Sequence, residues 1–116
     1  MTSVGWAAGL SGPATGRTMD VMNGETIQFT WSGGHNVYSM KDKAAFDACD
    51  FSTAIELGTN SGVRHTMGVY NGHPYTDTAY FACKVGTHCA SGQKLSAVIT
   101  AVGSGKASTV KVLTLK

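Results

Sequence analysis

The sequence is poor in charged residues and contains no long apolar segment. Charged residues make up 14% of its 116 residues and the net charge is +2 with histidine neutral, whereas a typical soluble domain has about 25% charged residues. The lysines and arginines are scattered, so they form no basic stripe of the kind that binds nucleic acid. No apolar run approaches the roughly 18 to 20 residues that span a bilayer. We therefore expect neither a nucleic acid partner nor a membrane span.

Glycine, by contrast, is abundant, and its 15 copies favour a turn-rich β protein. A chain of this length fits one domain, which should bury somewhat more than ~60% of its unfolded surface. Alternating apolar residues predict half-buried strands at 25–31, 78–83 and 95–101. Short strands separated by glycine-rich turns are typical of a two-sheet antiparallel β-sandwich. Near the N-terminus, Trp6 is interpreted as a core residue.

Local signals predict one turn and one helix. Asn23 and Gly24 form a pair that is typical of a β-hairpin turn. Segment 41–48 contains alanine and no glycine or proline, so it predicts a short helix capped near Asp42. Segment 50–77 is interrupted by glycines and is interpreted as a loop-rich region with a short candidate strand at 64–69. Its histidines, His65 and His73, are interpreted as surface residues.

The chain has only three cysteines, and the odd number is informative. In an oxidising compartment it predicts one disulfide and one thiol with another role. Because disulfides persist outside the reducing cytosol, we expect a secreted protein. The N-terminus lacks a basic region followed by an apolar core, so we expect the signal peptide to be absent from this sequence.

Segment 80–95, YFACKVGTHCASGQKL, concentrates groups that bind soft metals. Cys83, His88 and Gln93 offer a thiolate, an imidazole and a side-chain carbonyl, with glycines between them that allow sharp turns. A second imidazole is available upstream at His35, after a strand-like run. Two imidazoles, one thiolate and a weak axial donor form a type 1 (blue) copper site. Thiolate plus imidazole suits copper or zinc, and this set with its weak axial donor matches copper, so we predict that His35, Cys83, His88 and Gln93 bind one copper ion.

Three segments carry a resemblance to a known family. They are HNVYSM at 35–40, FDACDF at 46–51 and YFACKVGTHCASGQKL at 80–95, and together they resemble the phytocyanin family of blue copper proteins. Glutamine at the last ligand position makes the chain similar to the stellacyanin branch. The resemblance spans 25–101 and is poor through 52–77. It implies a Greek-key cupredoxin fold, which is an all-β two-sheet sandwich with one short helix, and it implies that His35 and the 83–93 loop meet at one end.

The resemblance also assigns the cysteines. It pairs Cys49 with Cys89 and leaves Cys83 for copper. Neighbours in an extended segment point to opposite faces, so His88 can face the metal while Cys89 reaches into the scaffold. The bridge would close a loop of about 40 residues and contribute on the order of 4 kcal/mol in the chain-entropy model. The resemblance implies single-electron transfer without enzymatic activity. We expect a monomer, and we expect its redox partner, which is unknown, to dock near His88.

Three alternatives remain open at this point. A copper oxidase domain would need paired His-x-His motifs, and the four histidines include no such pair. A structural zinc module could use Cys49, Cys83, Cys89 and His88, since Cys3His is a known zinc set, although adjacent His88 and Cys89 are poorly placed to share one ion. A cell-wall or surface interaction domain could keep the fold without electron transfer as its main role, but the presence of all four ligand types argues against loss of the metal.

The C-terminal residues lie beyond the resemblance. The Gly-Ser-Gly at 103–105 indicates a linker, and 108–115 alternates enough to be one more strand or a tail. We interpret 1–102 as the cupredoxin-like domain and 103–116 as a C-terminal extension. Lys106, Lys111 and Lys116 argue against the apolar tail of a lipid-anchor signal.

Overall fold

The computed structural model describes residues 2–6, 17–67 and 78–100. These residues form strands and one short helix, in chain order β1 (Thr2–Gly5), β2 (Arg17–Met22), β3 (Thr26–Thr30), β4 (Val37–Met40), α1 (Lys43–Ala48), β5 (Ile55–Gly58), β6 (Val63–Thr66), β7 (Thr78–Ala82) and β8 (Lys94–Thr100). One sheet has the order β1-β3-β6 and the other β2-β8-β7-β4-β5. The all-β two-sheet fold with one short helix is therefore confirmed. Within these residues no helix is long and apolar enough to cross a bilayer.

The main core lies between the two sheets and follows the predicted alternation. On β3, Ile27 and Phe29 are buried, and on β7 Ala79 and Phe81 are buried. The same cluster includes Leu95, Ala97 and Ile99 of β8 and Trp6 just after β1, which confirms the core role of Trp6. A second cluster lies where α1 covers β4 and β7 and includes Phe46, Met40 and Cys89. Both clusters contact the loop that follows β7, because Cys83 belongs to the first and Cys89 to the second.

Two strand pairings are parallel, so the expectation of a purely antiparallel sandwich is wrong. β1 runs parallel to β3 and β2 runs parallel to β8, while the other pairings are antiparallel. β1 and β3 share a sheet, but β2 lies between them in sequence and belongs to the opposite sheet. The connection from β1 to β3 therefore passes through the opposite sheet, and parallel neighbours in one sheet require such a crossover.

The turn at Asn23 and Gly24 exists, but the prediction that it closes a hairpin is wrong. Gly24 has a φ of +91°, and Glu25 N–H donates to Met22 O at 3.0 Å. The strands on either side, β2 and β3, belong to different sheets. The turn pairs instead with the end of β6, since Gly24 N–H donates to Met67 O and Met67 N–H donates to Glu25 O. It carries the chain from one sheet to the other.

The short helix is confirmed and ends at the cysteine that anchors it. Asp42 accepts a hydrogen bond from Ala45 N–H at 2.9 Å, which satisfies one of the free donors of the first turn. Cys49 follows the last helical residue with a φ of +52°, in the left-handed region, and its N–H donates to Phe46 O. This left-handed cap turns the chain away from the helix axis and directs the Cys49 side chain toward the 83–93 loop.

The middle of the chain contains more structure than its glycines indicate. β5 extends the larger sheet beside β4, and β6 pairs with β3. The surface interpretation of His65 is wrong, because this side chain is only 4% exposed and its ring lies edge-on to Phe81 with 5.5 Å between centroids. It occupies the inward position of β6 opposite Ile27. Because histidine is polar, the sequence of β6 does not show the alternation of apolar and polar residues that marks a half-buried strand. His73, the 101–116 segment with its proposed boundary at 102, and the candidate strand at 108–115 lie outside the described residues.

Candidate metal centre

The loop after β7 is closed at its base by backbone hydrogen bonds. Cys83 N–H donates to Gln93 O at 3.1 Å, so the backbones of the first and last predicted ligands of this loop lie side by side. Inside the loop, Gln93 N–H donates to His88 O at 2.9 Å and His88 N–H donates to Val85 O at 3.0 Å. Gly92 has a φ of +104°, which a residue with a Cβ rarely adopts. The loop is therefore a hydrogen-bonded unit with His88 at its centre.

The structure brings three of the predicted ligands together. His35 Nδ1 lies 3.2 Å from His88 Nδ1, and Cys83 Sγ lies 3.6 Å from the same His88 nitrogen. The ligand atoms of the three residues all lie within 4.8 Å of one another. His35 comes from the loop between β3 and β4, and the other two come from the loop after β7. No other group of three such residues meets this criterion in the described parts of the chain.

Two of the three donor separations are close to those around a first-row metal ion. At the bond lengths that zinc makes to these ligands, about 2.0 Å to nitrogen and about 2.3 Å to sulfur, a trigonal ion would hold two nitrogens roughly 3.5 Å apart and a nitrogen and a sulfur roughly 3.7 Å apart. The separations observed here are 3.2 Å and 3.6 Å. A soft thiolate with two imidazoles suits copper.

Gln93 is buried, as expected of a metal ligand, and its side-chain amide makes no hydrogen bond to the described residues. The residue is 0% exposed, and neither atom of its side-chain amide has a hydrogen-bond partner among the described residues. A buried amide without a partner is costly. A carbonyl oxygen bound to a metal would offset part of that cost, so a buried, unpartnered amide on the residue whose backbone pairs with Cys83 fits the predicted fourth ligand.

Access to solvent differs among the predicted ligands. Cys83 is fully buried, while both histidine rings are half-buried. The residues around His88, which are Gly86, Thr87 and Ala90, are exposed. The Trp31 ring lies edge-on to the His35 ring with 6.4 Å between centroids. The thiol is thus shielded from water, and the imidazoles are the groups closest to the molecular surface.

Cys49 and Cys89 are joined by a disulfide, as the resemblance implies. Cys89 packs beneath α1 in the second core cluster while its neighbour His88 faces the other histidine. The two side chains diverge as expected, but the expectation of an extended segment as the reason is wrong, because residues 87–92 form turns. Cys83 is the free cysteine. A zinc site made from Cys49, Cys83, Cys89 and His88 is excluded, because two of its sulfurs are bonded to each other.

Sequence reasoning missed Asn36, which links the two loops that carry the predicted ligands. Its Oδ1 accepts a hydrogen bond from Lys84 N–H at 2.7 Å, directly after Cys83. The only signal in the sequence is that Asn36 follows His35. This adjacency does not predict a contact with Lys84, which is distant along the chain.

Known proteins are similar to this chain in sequence and in fold. No family model matches the chain. It is 37% identical to cucumber peeling cupredoxin of Cucumis sativus over 92 residues, which cover 78% of this chain and 62% of that protein. It is 33% identical over 91 residues to a blue copper protein of Arabidopsis thaliana, which cover 78% of this chain and 42% of that protein. The chain spans less than two thirds of the length of the curated relatives it matches.

A solved structure of cucumber stellacyanin with Cu²⁺ at pH 7.0 superposes with a TM-score of 0.61 at 28% identity, covering 87% of this chain and 97% of that structure. The similarity therefore extends over most of this chain and nearly all of that structure.

Proposed function

Because this chain belongs to the phytocyanin family of cupredoxins, we propose that it is a type 1 copper protein that passes single electrons between redox partners. The cofactor that the relatives and the donor set indicate is copper. The observation that carries the proposal is the convergence of His35, Cys83 and His88 from two loops. We propose Gln93 as the fourth, axial ligand, supported by its burial and its unpartnered amide.

The chain's own residues supply a nearly fixed set of donors. Bound copper supplies a centre that alternates between Cu(I) and Cu(II). The backbone bonds from Cys83 to Gln93 and from Gln93 to His88 hold the loop in one shape, and the disulfide fixes the residue after His88. Loops held this way on a rigid scaffold resist rearrangement. A low cost of rearrangement on gain or loss of an electron is what a fast electron carrier requires.

The half-buried His88 is the proposed exit for the electron. Its exposed neighbours leave room for a docked partner, which would bring that partner close to the metal. We propose that the partner is a redox protein or a small redox molecule and that the carrier acts as a monomer outside the cytosol. The Cys49–Cys89 disulfide supports the extracytosolic location, because such bridges persist where thiols are not kept reduced.

Titration of the metal-free protein with Cu(II) tests the proposal. We expect uptake of one equivalent and an intense visible band from charge transfer between the Cys83 thiolate and copper. A Cys83→Ser variant, which keeps both imidazoles and nearly the same side-chain volume, should bind copper more weakly and stay colourless. A colourless wild-type protein, or a strong preference for zinc over copper, would overturn the assignment.

A further inference from the structure

Trp6 contacts both ends of the loop that carries His35. Its backbone N–H donates to Thr30 O at 2.8 Å, and its indole Nε1–H donates to Asn36 O at 2.8 Å. Thr30 is the last residue of β3, and Asn36 lies directly before β4. One residue of the N-terminal segment therefore closes loop 31–36, which crosses from the smaller sheet to the larger one.

The Trp6 side chain is itself held in place. It is 1% exposed, and its ring lies edge-on to Phe29 with 5.0 Å between centroids and an interplanar angle of 78°. A buried indole N–H needs an acceptor, and the loss of either partner leaves a buried polar group unpaired. The buried indole therefore fixes the position of the Asn36 carbonyl, and the same hydrogen bond fixes the orientation of the indole ring.

Asn36 extends this connection to the second ligand loop. Its backbone oxygen accepts from Trp6, and its side-chain oxygen accepts from Lys84 N–H at 2.7 Å. Lys84 directly follows Cys83, and Asn36 directly follows His35. Two hydrogen bonds in series therefore join the N-terminal segment to the backbone next to a proposed ligand on each loop.

We propose that Trp6 is a positioning residue of the copper site, which acts through Asn36 and Lys84 to fix the separation of His35 and Cys83. This inference rests on the proposed ligand set. Trp6 touches none of the ligand side chains in the contacts described, so it acts on the backbone that carries them. Partners of metal ligands commonly control affinity by orienting the donors, and their loss typically weakens metal binding about 10- to 100-fold.

The Trp6→Phe variant tests the first hydrogen bond. It keeps an aromatic ring against Phe29 and removes the indole donor together with some buried ring volume. We expect its dissociation constant for Cu(II) to rise about tenfold, the lower end for partners of metal ligands, with a changed copper EPR hyperfine splitting. The matched control is Val4→Ala, which removes buried volume from β1 and leaves both hydrogen bonds intact. If the two variants weaken copper binding equally, Trp6 is merely structural and the proposal is wrong.

A second measurement needs no metal. In the metal-free proteins, hydrogen exchange of the Lys84 amide reports directly on its bond to Asn36, and we expect faster exchange in Trp6→Phe than in Val4→Ala. If wild type binds no copper, the ligand assignment fails, while this exchange rate still decides whether Trp6 holds the two loops together. Equal exchange rates in the two variants would refute the connection.

The Asn36→Leu variant tests the second hydrogen bond with the indole in place. It keeps the carbonyl that Trp6 uses and removes the acceptor of Lys84 N–H. If the bonds act in series, the Trp6→Phe/Asn36→Leu double variant should bind copper no more weakly than the worse single variant, because residues of one network are not additive. Fully additive losses would show that the two residues act independently.

Discussion

At the scale of single residues, the proposed axial ligand Gln93 is expected to set the balance between Cu(I) and Cu(II). An amide oxygen is a harder donor than a thioether and favours Cu(II) over Cu(I). Gln93→Met should therefore raise the reduction potential. A ten- to hundredfold loss of preference for Cu(II) would raise it by about 60 to 120 mV, since a tenfold change corresponds to ~59 mV for one electron. Voltammetry on the copper-loaded proteins measures this shift.

The same substitution elsewhere provides the control. Gln28 lies on β3 and is half-buried, with a long hydrogen bond of 3.5 Å from its Nε2 to Gly62 O. Gln28→Met should leave the potential unchanged. A potential that stays constant or falls in Gln93→Met, with the visible band intact, would remove Gln93 from the ligand set.

His65 makes stability depend on pH. Burial lowers the pKa of His65 below its ordinary value, because the imidazolium would lose its hydration in the core. The unfolded chain, with a histidine pKa of about 6.5, then binds more protons than the native state in the window below that value. Stability is therefore complete above about pH 6.5 and falls as the pH drops from there toward the native pKa, by at most about 1.4 kcal/mol per pH unit for one proton.

Urea unfolding at pH 7.5 and pH 5.5 of wild type and His65→Gln isolates this contribution. The other titrating groups are shared by the two proteins and cancel in the difference. We expect wild type to lose more stability than the variant on acidification. An equal loss in both proteins would mean that His65 is protonated as easily in the native state as in the unfolded chain.

At the scale of elements, helix α1 is stabilised from beneath by a lysine of β8. Lys94 is 2% exposed, and its Nζ donates to Phe46 O at 2.8 Å, in the last turn of the helix. Burial lowers the pKa of Lys94, but a cation at a helix C-terminus is favoured by the helix dipole. Its amino group also lies 3.8 Å from Cys49 Sγ, so it supports the residue that anchors the disulfide.

Two lysine substitutions separate this buried contact from an ordinary surface pair. Lys94→Met removes a charged donor from a buried carbonyl and should reduce the free energy of unfolding by about 1.5 to 3 kcal/mol. Lys43 pairs with Asp47 at 2.7 Å, but its side chain is 70% exposed. Lys43→Met should therefore leave the free energy of unfolding close to that of wild type, because solvent screens an exposed ion pair. Equal losses in chemical denaturation would mean that the buried hydrogen bond contributes nothing beyond a surface contact.

At the scale of the whole molecule, local patterns were predictable and distant contacts were not. The alternation of β3, β7 and β8 and the cap of α1 depend on neighbours in sequence, and so does the spacing of Cys83, His88 and Gln93 within one loop. The parallel pairings and the crossing at Asn23 and Gly24 depend on which sheet each strand joins. No local sequence pattern indicates the sheet to which a strand belongs. The burial of His65 escapes prediction for a related reason, since it comes from the strands packed around this residue and not from its own side chain.

The disulfide also bears on how the molecule must be assembled. Before the bridge forms, the chain has three thiols, and Cys89 lies next to the proposed ligand His88. Soft thiolates bind Cu(I) strongly, so copper that arrives early would find Cys83 and Cys89 on one loop and could bind both. Formation of the bridge leaves a single thiol for the metal.

Assembly should therefore have an order, with oxidation before metallation. We predict that reduced, unfolded protein refolded anaerobically with one equivalent of Cu(I), and then given an oxidising glutathione buffer, yields less Cys49–Cys89 linked peptide than protein oxidised first. Mass spectrometry of a non-reduced digest measures the yield, and equal yields in both orders would contradict the prediction. In a cell, such an order would place copper loading after the chain has passed through an oxidising compartment.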